Sequence, residues 1–225
     1  KTLILSLPVW YLRLTLFNLR RTLMNKSFII KIIVFCLVTI KASAIEKVIL
    51  FGDSLMAGYG LPNEQHLSVV LQNSLETEGY KIEIVNGSVS GSTSSGGLNI
   101  AEWTLSESNI DLMILCLGAN DMLRGINPKE TKNNLEEIIK IAKNKNIKVI
   151  IAGMIAPTSY GSNYKKSFDK IFYDLSKKYK LQLIPFLLEG VAQKPEFNLS
   201  DGMHPNDQGT IIIGNTLKIA ILENL

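Results

Sequence analysis

Histidine and cysteine are nearly missing from this chain: 225 residues hold two of each. Cys36 lies in an apolar run and Cys116 within an expected strand, so the two do not read as a pair and a disulfide scaffold is excluded. Cys116 reads as a small core hydrophobe. No cluster of His, Cys, Asp and Glu has metal-ligand spacing, so no metal is expected. There is no glycine-rich phosphate loop and no G-x-S-x-G elbow. Repeats, linkers and low-complexity tracts are also absent, and this length reads as one domain with a short appendage. A hydrophobic share of 46% against 20% charged excludes bulk disorder.

A basic domain surface is lacking too. The formal charge of +4 belongs to residues 1–44, which carry Lys1, Arg13, Arg20, Arg21, Lys26, Lys31 and Lys41 and no acidic residue. Without those seven, 17 basic residues face 20 acidic ones, which leaves no footprint for nucleic acid. From Met24 the stretch "MNKSFIIKIIVFCLVTIKASA" has a positive start, an apolar run over Ile32–Ile40 and an A-x-A signal at Ala42-Ser43-Ala44. These are the three parts of a secretory signal peptide, and the run falls short of the ~20 residues a membrane span needs. Residues 24–44 are expected to be a signal peptide cleaved after Ala44. Residues 1–23 read as a doubtful extension ahead of the start methionine, and 45–225 as the exported domain. Membrane contact is expected only through the signal segment or a lipid substrate.

What is present alternates. Strands are expected at 46–51, 81–85, 111–117, 147–153 and 181–186, from short apolar runs bounded by turn residues. Between them lie helical patterns: Leu67, Val70, Leu71 and Leu75 before Gly79; "GLNIAEWTLSE"; Leu135, Ile138, Ile139 and Ala142 after Pro128; and 164–179. Pro205 is expected to open a last helix running through Leu222. Five strand–helix alternations predict an α/β fold with a parallel five-stranded sheet covered on both faces. Sites in such folds form beyond the carboxyl ends of the strands.

Four polar, glycine-bearing segments fall at that edge: Gly52-Asp53-Ser54-Leu55, Asn86-Gly87-Ser88-Val89-Ser90-Gly91, Gly118-Ala119-Asn120-Asp121 and Asp201-Gly202-Met203-His204-Pro205. A serine hydroxyl is a weak nucleophile until a base takes its proton. His66 reads as a surface or capping residue. His204 lies three residues after Asp201, and on one helical turn such residues share a face. Asp201 would fix the tautomer of His204, whose Nε2 would face Ser54. Taken alone, D-x-x-H is equally a helix start. The Ser54 N–H, the Gly91 N–H and the Asn120 amide are candidate oxyanion donors; Gly91 and Asn120 are also ordinary loop and turn residues. Asp53 reads as a structural hydrogen-bond acceptor, and Asp121 as a cap or brace for its loop. Met122, Leu123, Ile126, Ile155, Ala156 and Pro157 follow strand ends, where they would line an acyl groove or simply pack against the core.

The segments "FGDSLMAGYG", "VNGSVSGSTSSGGL", "LGANDMLRG" and "DGMHPND" resemble, in order and spacing, the four blocks of the SGNH (GDSL) hydrolases. Within that family the likeness is strongest to the bacterial thioesterase I, arylesterase and lysophospholipase type. The resemblance implies a flavodoxin-like three-layer α/β/α sandwich. It implies Ser54 as nucleophile, His204 as base, Asp201 as its partner, and an oxyanion hole of Ser54 N–H, Gly91 and Asn120. The substrate would be a small acyl ester or thioester, hydrolysed without a cofactor by a periplasmic monomer, with "MLRGIN" as a loop over the acyl chain. Ala119 departs from the pattern, which usually has glycine there. Two other readings remain at this stage: a carbohydrate or peptidoglycan O-deacetylase, and a silent binding protein on the same fold.

Overall fold

In the computed structural model, the described residues are 45–225. The expected signal peptide and N-terminal extension lie outside them. Five strands run β1 Lys47–Gly52, β2 Glu83–Asn86, β3 Leu112–Cys116, β4 Lys148–Ala152 and β5 Gln182–Ile184. Every pairing is parallel and the order is β2-β1-β3-β4-β5. The helices are α1 Ser54–Ala57, α2 Leu67–Thr77, α3 Ser94–Thr104, α4 Ala119–Leu123, α5 Pro128–Asn144, α6 Ser162–Tyr179 and α7 Asp207–Leu222. Helices α2 and α7 pack together, and α3, α5 and α6 pack in series. The sheet lies between these two layers.

The central strand β3 is buried along its whole length, as its unbroken apolar run requires. Its neighbour β1 is buried from Val48 to Gly52. Fully burying each such Leu, Ile or Val contributes roughly 1.5–3 kcal/mol. The register pairs Gly52 with Cys116, so β1 and β3 end level. The segments after them therefore emerge side by side. Burial pushes the Cys116 thiol well above its usual range, as suits a packing residue rather than a reactive one.

Element edges differ from expectation where capping groups decide them. Helix α3 begins at Ser94, three residues before the expected glycine, because the Thr93 hydroxyl accepts from the Gly96 N–H at 3.2 Å. Pro205 does not open the last helix. Asn206 caps it by accepting from the Gly209 N–H at 3.0 Å, while Pro205 bridges to Asn198. The short helices α1 and α4 are too brief for a periodic signal.

Candidate active site

Gly52 ends β1 against the neighbouring strand. A Cβ there would stand 2.7 Å from the Cys116 carbonyl oxygen, so a side chain is excluded. The chain then turns at Asp53, which is buried and caps α1: its Oδ1 accepts from the Leu55 N–H at 3.1 Å. This sets Ser54, half-buried, at the first position of the turn.

Asp201 and His204 arrive from the far end of the chain on a non-helical loop, Leu199 to Asn206. Helical spacing is thus not what joins them. Asp201 folds the loop itself: Oδ1 accepts from the N–H groups of Met203 (2.9 Å) and His204 (3.0 Å). Oδ2 faces His204 Nδ1 at 2.7 Å, and His204 Nε2 stands 2.9 Å from Ser54 Oγ. The backbone N–H bonds from His204 and then Met203 are the main cause that lowers the Asp201 carboxyl to about 2. Ionised at neutral pH, it can only accept. Nδ1 therefore carries the imidazole proton, and Nε2 is left to accept the serine hydroxyl.

Asn120 is the second residue of α4, and its Nδ2 donates to Asp53 Oδ2 at 3.2 Å. Asp53 thus braces both α1 and Asn120, which matches its expected structural role. Burial is the largest influence on it and raises its carboxyl to about 6, against the opposing bonds from Leu55 and Asn120 and the charge of His204. Gly91 is exposed, with φ 78°, and its carbonyl accepts from Arg124 Nη2 at 3.1 Å. That contact joins the second and third loops of the edge.

Asp121 braces more than its own loop. It is fully buried and accepts from the Ser94 N–H (2.7 Å), the Ser94 hydroxyl and Thr131 Oγ1 (3.1 Å), which ties α3, α4 and α5 together. His66 occupies the N-cap position of α2, but its side chain makes no capping bond. Its Nε2–H donates to the Leu61 carbonyl at 3.1 Å, and its ring fills the space beside Gly58. Of the expected groove residues, Leu123, Ile155 and Pro157 are exposed, whereas Met122 is buried with the core and offers a substrate little surface. Tyr59 had no sequence signal: its ring centroid lies 4.4 Å from that of His204.

Residues 50–210 match the model of the GDSL-like Lipase/Acylhydrolase family. The chain is 37% identical over 177 residues to an arylesterase of Vibrio mimicus, a match spanning 79% of this chain and 88% of that one. It is 33% identical over 170 residues to "Thioesterase 1/protease 1/lysophospholipase L1" of Escherichia coli K12, across 76% of this chain and 80% of the relative. A crystal structure of TesA superposes with a TM-score of 0.76 at 32% identity, covering 80% of this chain and all of that one.

Proposed function

The chain belongs to the GDSL-like lipase/acylhydrolase family and hydrolyses acyl esters, and on that premise we propose that Ser54 is its nucleophile, His204 its general base and Asp201 the carboxylate that orients His204. The observation that carries this reading is the relay of 2.9 Å from Ser54 Oγ to Nε2 and 2.7 Å from Nδ1 to Asp201. Ser54 Oγ attacks the substrate carbonyl while Nε2 takes its proton. The oxyanion rests on the N–H groups of Ser54 and Gly91 and the Asn120 amide, a type of contact worth about 2.7–4 kcal/mol per donor in the transition state. His204 then protonates the departing alcohol or thiol. Water, deprotonated by His204, attacks the acyl-enzyme carbonyl and releases the acid, and Ser54 regains its proton.

The substrate is an acyl ester or thioester. Relatives named as arylesterase and as thioesterase and lysophospholipase support that range. Leu123, Ile155 and Pro157, exposed beyond the strand ends, supply the apolar approach for its acyl part. No cofactor enters these steps. The enzyme is exported to the periplasm, a reading supported by the A-x-A signal before Ile45.

The test is hydrolysis of p-nitrophenyl esters from acetyl to dodecanoyl, by the wild type and by Ser54→Ala, with the periplasmic protein sequenced from its N-terminus. Activity lost in the variant, an optimum beyond acetyl and a first residue of Ile45 are expected. Undiminished activity in Ser54→Ala would overturn the nucleophile. An acetyl optimum would favour a deacetylase, and a retained residue 24–44 segment would overturn the export reading.

A further inference from the structure

Tyr59 follows α1 in a turn that touches the histidine loop. It sits between Gly58 and Gly60, at φ 85° and 74°. A Cβ on Gly58 would stand 2.4 Å from the His66 ring, and one on Gly60 2.7 Å from Leu199 Cδ1. Leu199 belongs to the histidine loop, since its N–H donates to the His204 carbonyl at 2.7 Å. The Tyr59 N–H in turn reaches the Ser54 carbonyl at 3.4 Å. The turn is therefore bonded to the nucleophile's residue at one end and lies close against the histidine loop at the other.

The Tyr59 ring uses that placement. Its centroid lies 4.4 Å from the imidazole centroid with 37° between the planes, although half the residue stays exposed. The groups facing His204 are Asp201 on its own loop, Ser54 on α1, Tyr59 on the turn, and the charge of Asp53 at the end of β1. Of these, Tyr59 alone covers the face of the ring.

We propose that Tyr59 is a positioning residue for His204: its ring holds the imidazole in the plane that joins Asp201 to Ser54, and its face supports the imidazolium formed when Ser54 gives up its proton. An aromatic face attracts a cation lying over it. A leucine keeps an apolar side chain at that position without that attraction. The proposal rests on the Ser54–His204–Asp201 reading.

The test compares full-length wild type, Tyr59→Phe and Tyr59→Leu, with Ser54→Ala as reference. The readouts are kcat, KM and the NMR titration of the two imidazoles, the His204 signal being assigned by its loss in His204→Ala. Tyr59→Phe should stay within about twofold of wild type. Tyr59→Leu should lose about fivefold in kcat with KM within about twofold. Its His204 signal should titrate about half a pH unit lower while that of His66 stays in place. Should Tyr59→Leu fail to fold, Tyr59→Met gives the same readouts. A leucine variant equal to wild type in kcat and titration would overturn the proposal. So would a rise in KM alone, which would make the ring a wall for substrate. An active Ser54→Ala would instead strike the nucleophile reading, so the two failures are distinguishable.

Discussion

Asp53 and Asp201 both feel the charge of His204, yet the protein holds them in opposite ways. Asp53 follows a buried strand, and burial lifts its carboxyl to about 6. Asp201 bends an exposed loop, and two backbone N–H groups and the imidazole bring it to about 2. One site thus carries a carboxylate held below the ordinary range and another lifted above it. Identical side chains are divided between tasks by solvent and by donors, not by residue type. The group held low suits the partner of an imidazolium. The buried group suits a brace that joins α1 to Asn120.

The contrast can be broken most sharply at Asp201. Asp201→Asn keeps an acceptor for the N–H groups of Met203 and His204 but no longer obliges Nδ1 to carry the proton. We expect kcat to fall about 10³–10⁴-fold. The melting temperature should move by no more than about 2 °C, because the side chain is exposed. Steady-state kinetics beside a thermal melt decide this, and a loss below tenfold would remove Asp201 from the relay.

Asp53→Asn should act less on rate and more on stability. An asparagine there can accept from only one of the two fixed donors, Leu55 N–H and Asn120 Nδ2, and sets its own NH2 against the other. We expect a loss of about 10² in kcat, as for a misplaced oxyanion donor. The pH dependence has a defined sign. The folded carboxyl titrates at about 6, above the ordinary value of 3.8, so its share of stability is complete below about pH 4 and is lost as pH rises through 6. By pH 8 that loss amounts to roughly 3 kcal/mol. Melts of wild type and Asp53→Asn at pH 4.5 and pH 8 should therefore converge, or cross, by roughly 5 °C in favour of the variant at pH 8. A constant gap would mean that Asp53 is not buried as a charge. Asp201 has the opposite sign: its contribution is present above about pH 4 and lost as pH falls toward 2.

This division of labour was only half legible in the sequence. Ser54, Asn120 and the Asp201–His204 pair could be placed at one sheet edge, because alternating strands and helices fix which loops share an end. The reason for pairing Asp201 with His204 was different, though: a loop held by the aspartate's own Oδ1, not a helical turn. Asp121 read as a local brace because its partners, Ser94 and Thr131, lie on other helices. Tyr59 gives no signal, since a ring pair far apart in sequence has no period or spacing. The helix starts at Ser94 and Asp207 were missed by two or three residues, since Thr93 and Asn206 set them by side-chain bonds that apolar periodicity does not register.

The smallest effect separates the brace from its neighbour. Ala119 is the first residue of α4 and is buried, one step before Asn120. Ala119→Gly removes a methyl and frees the backbone, which costs about 0.5–1 kcal/mol in a helix and about 2 °C in melting temperature. The Asn120 amide is tied to Asp53 Oδ2, however, and that bond does not pass through residue 119. If Asp53 holds the amide, kcat in Ala119→Gly stays within about twofold of wild type, well apart from the hundredfold expected of Asp53→Asn. A tenfold loss would mean that the methyl at 119, rather than the buried carboxylate, keeps Asn120 in place, and the contrast between Asp53 and Asp201 would then be one of charge alone.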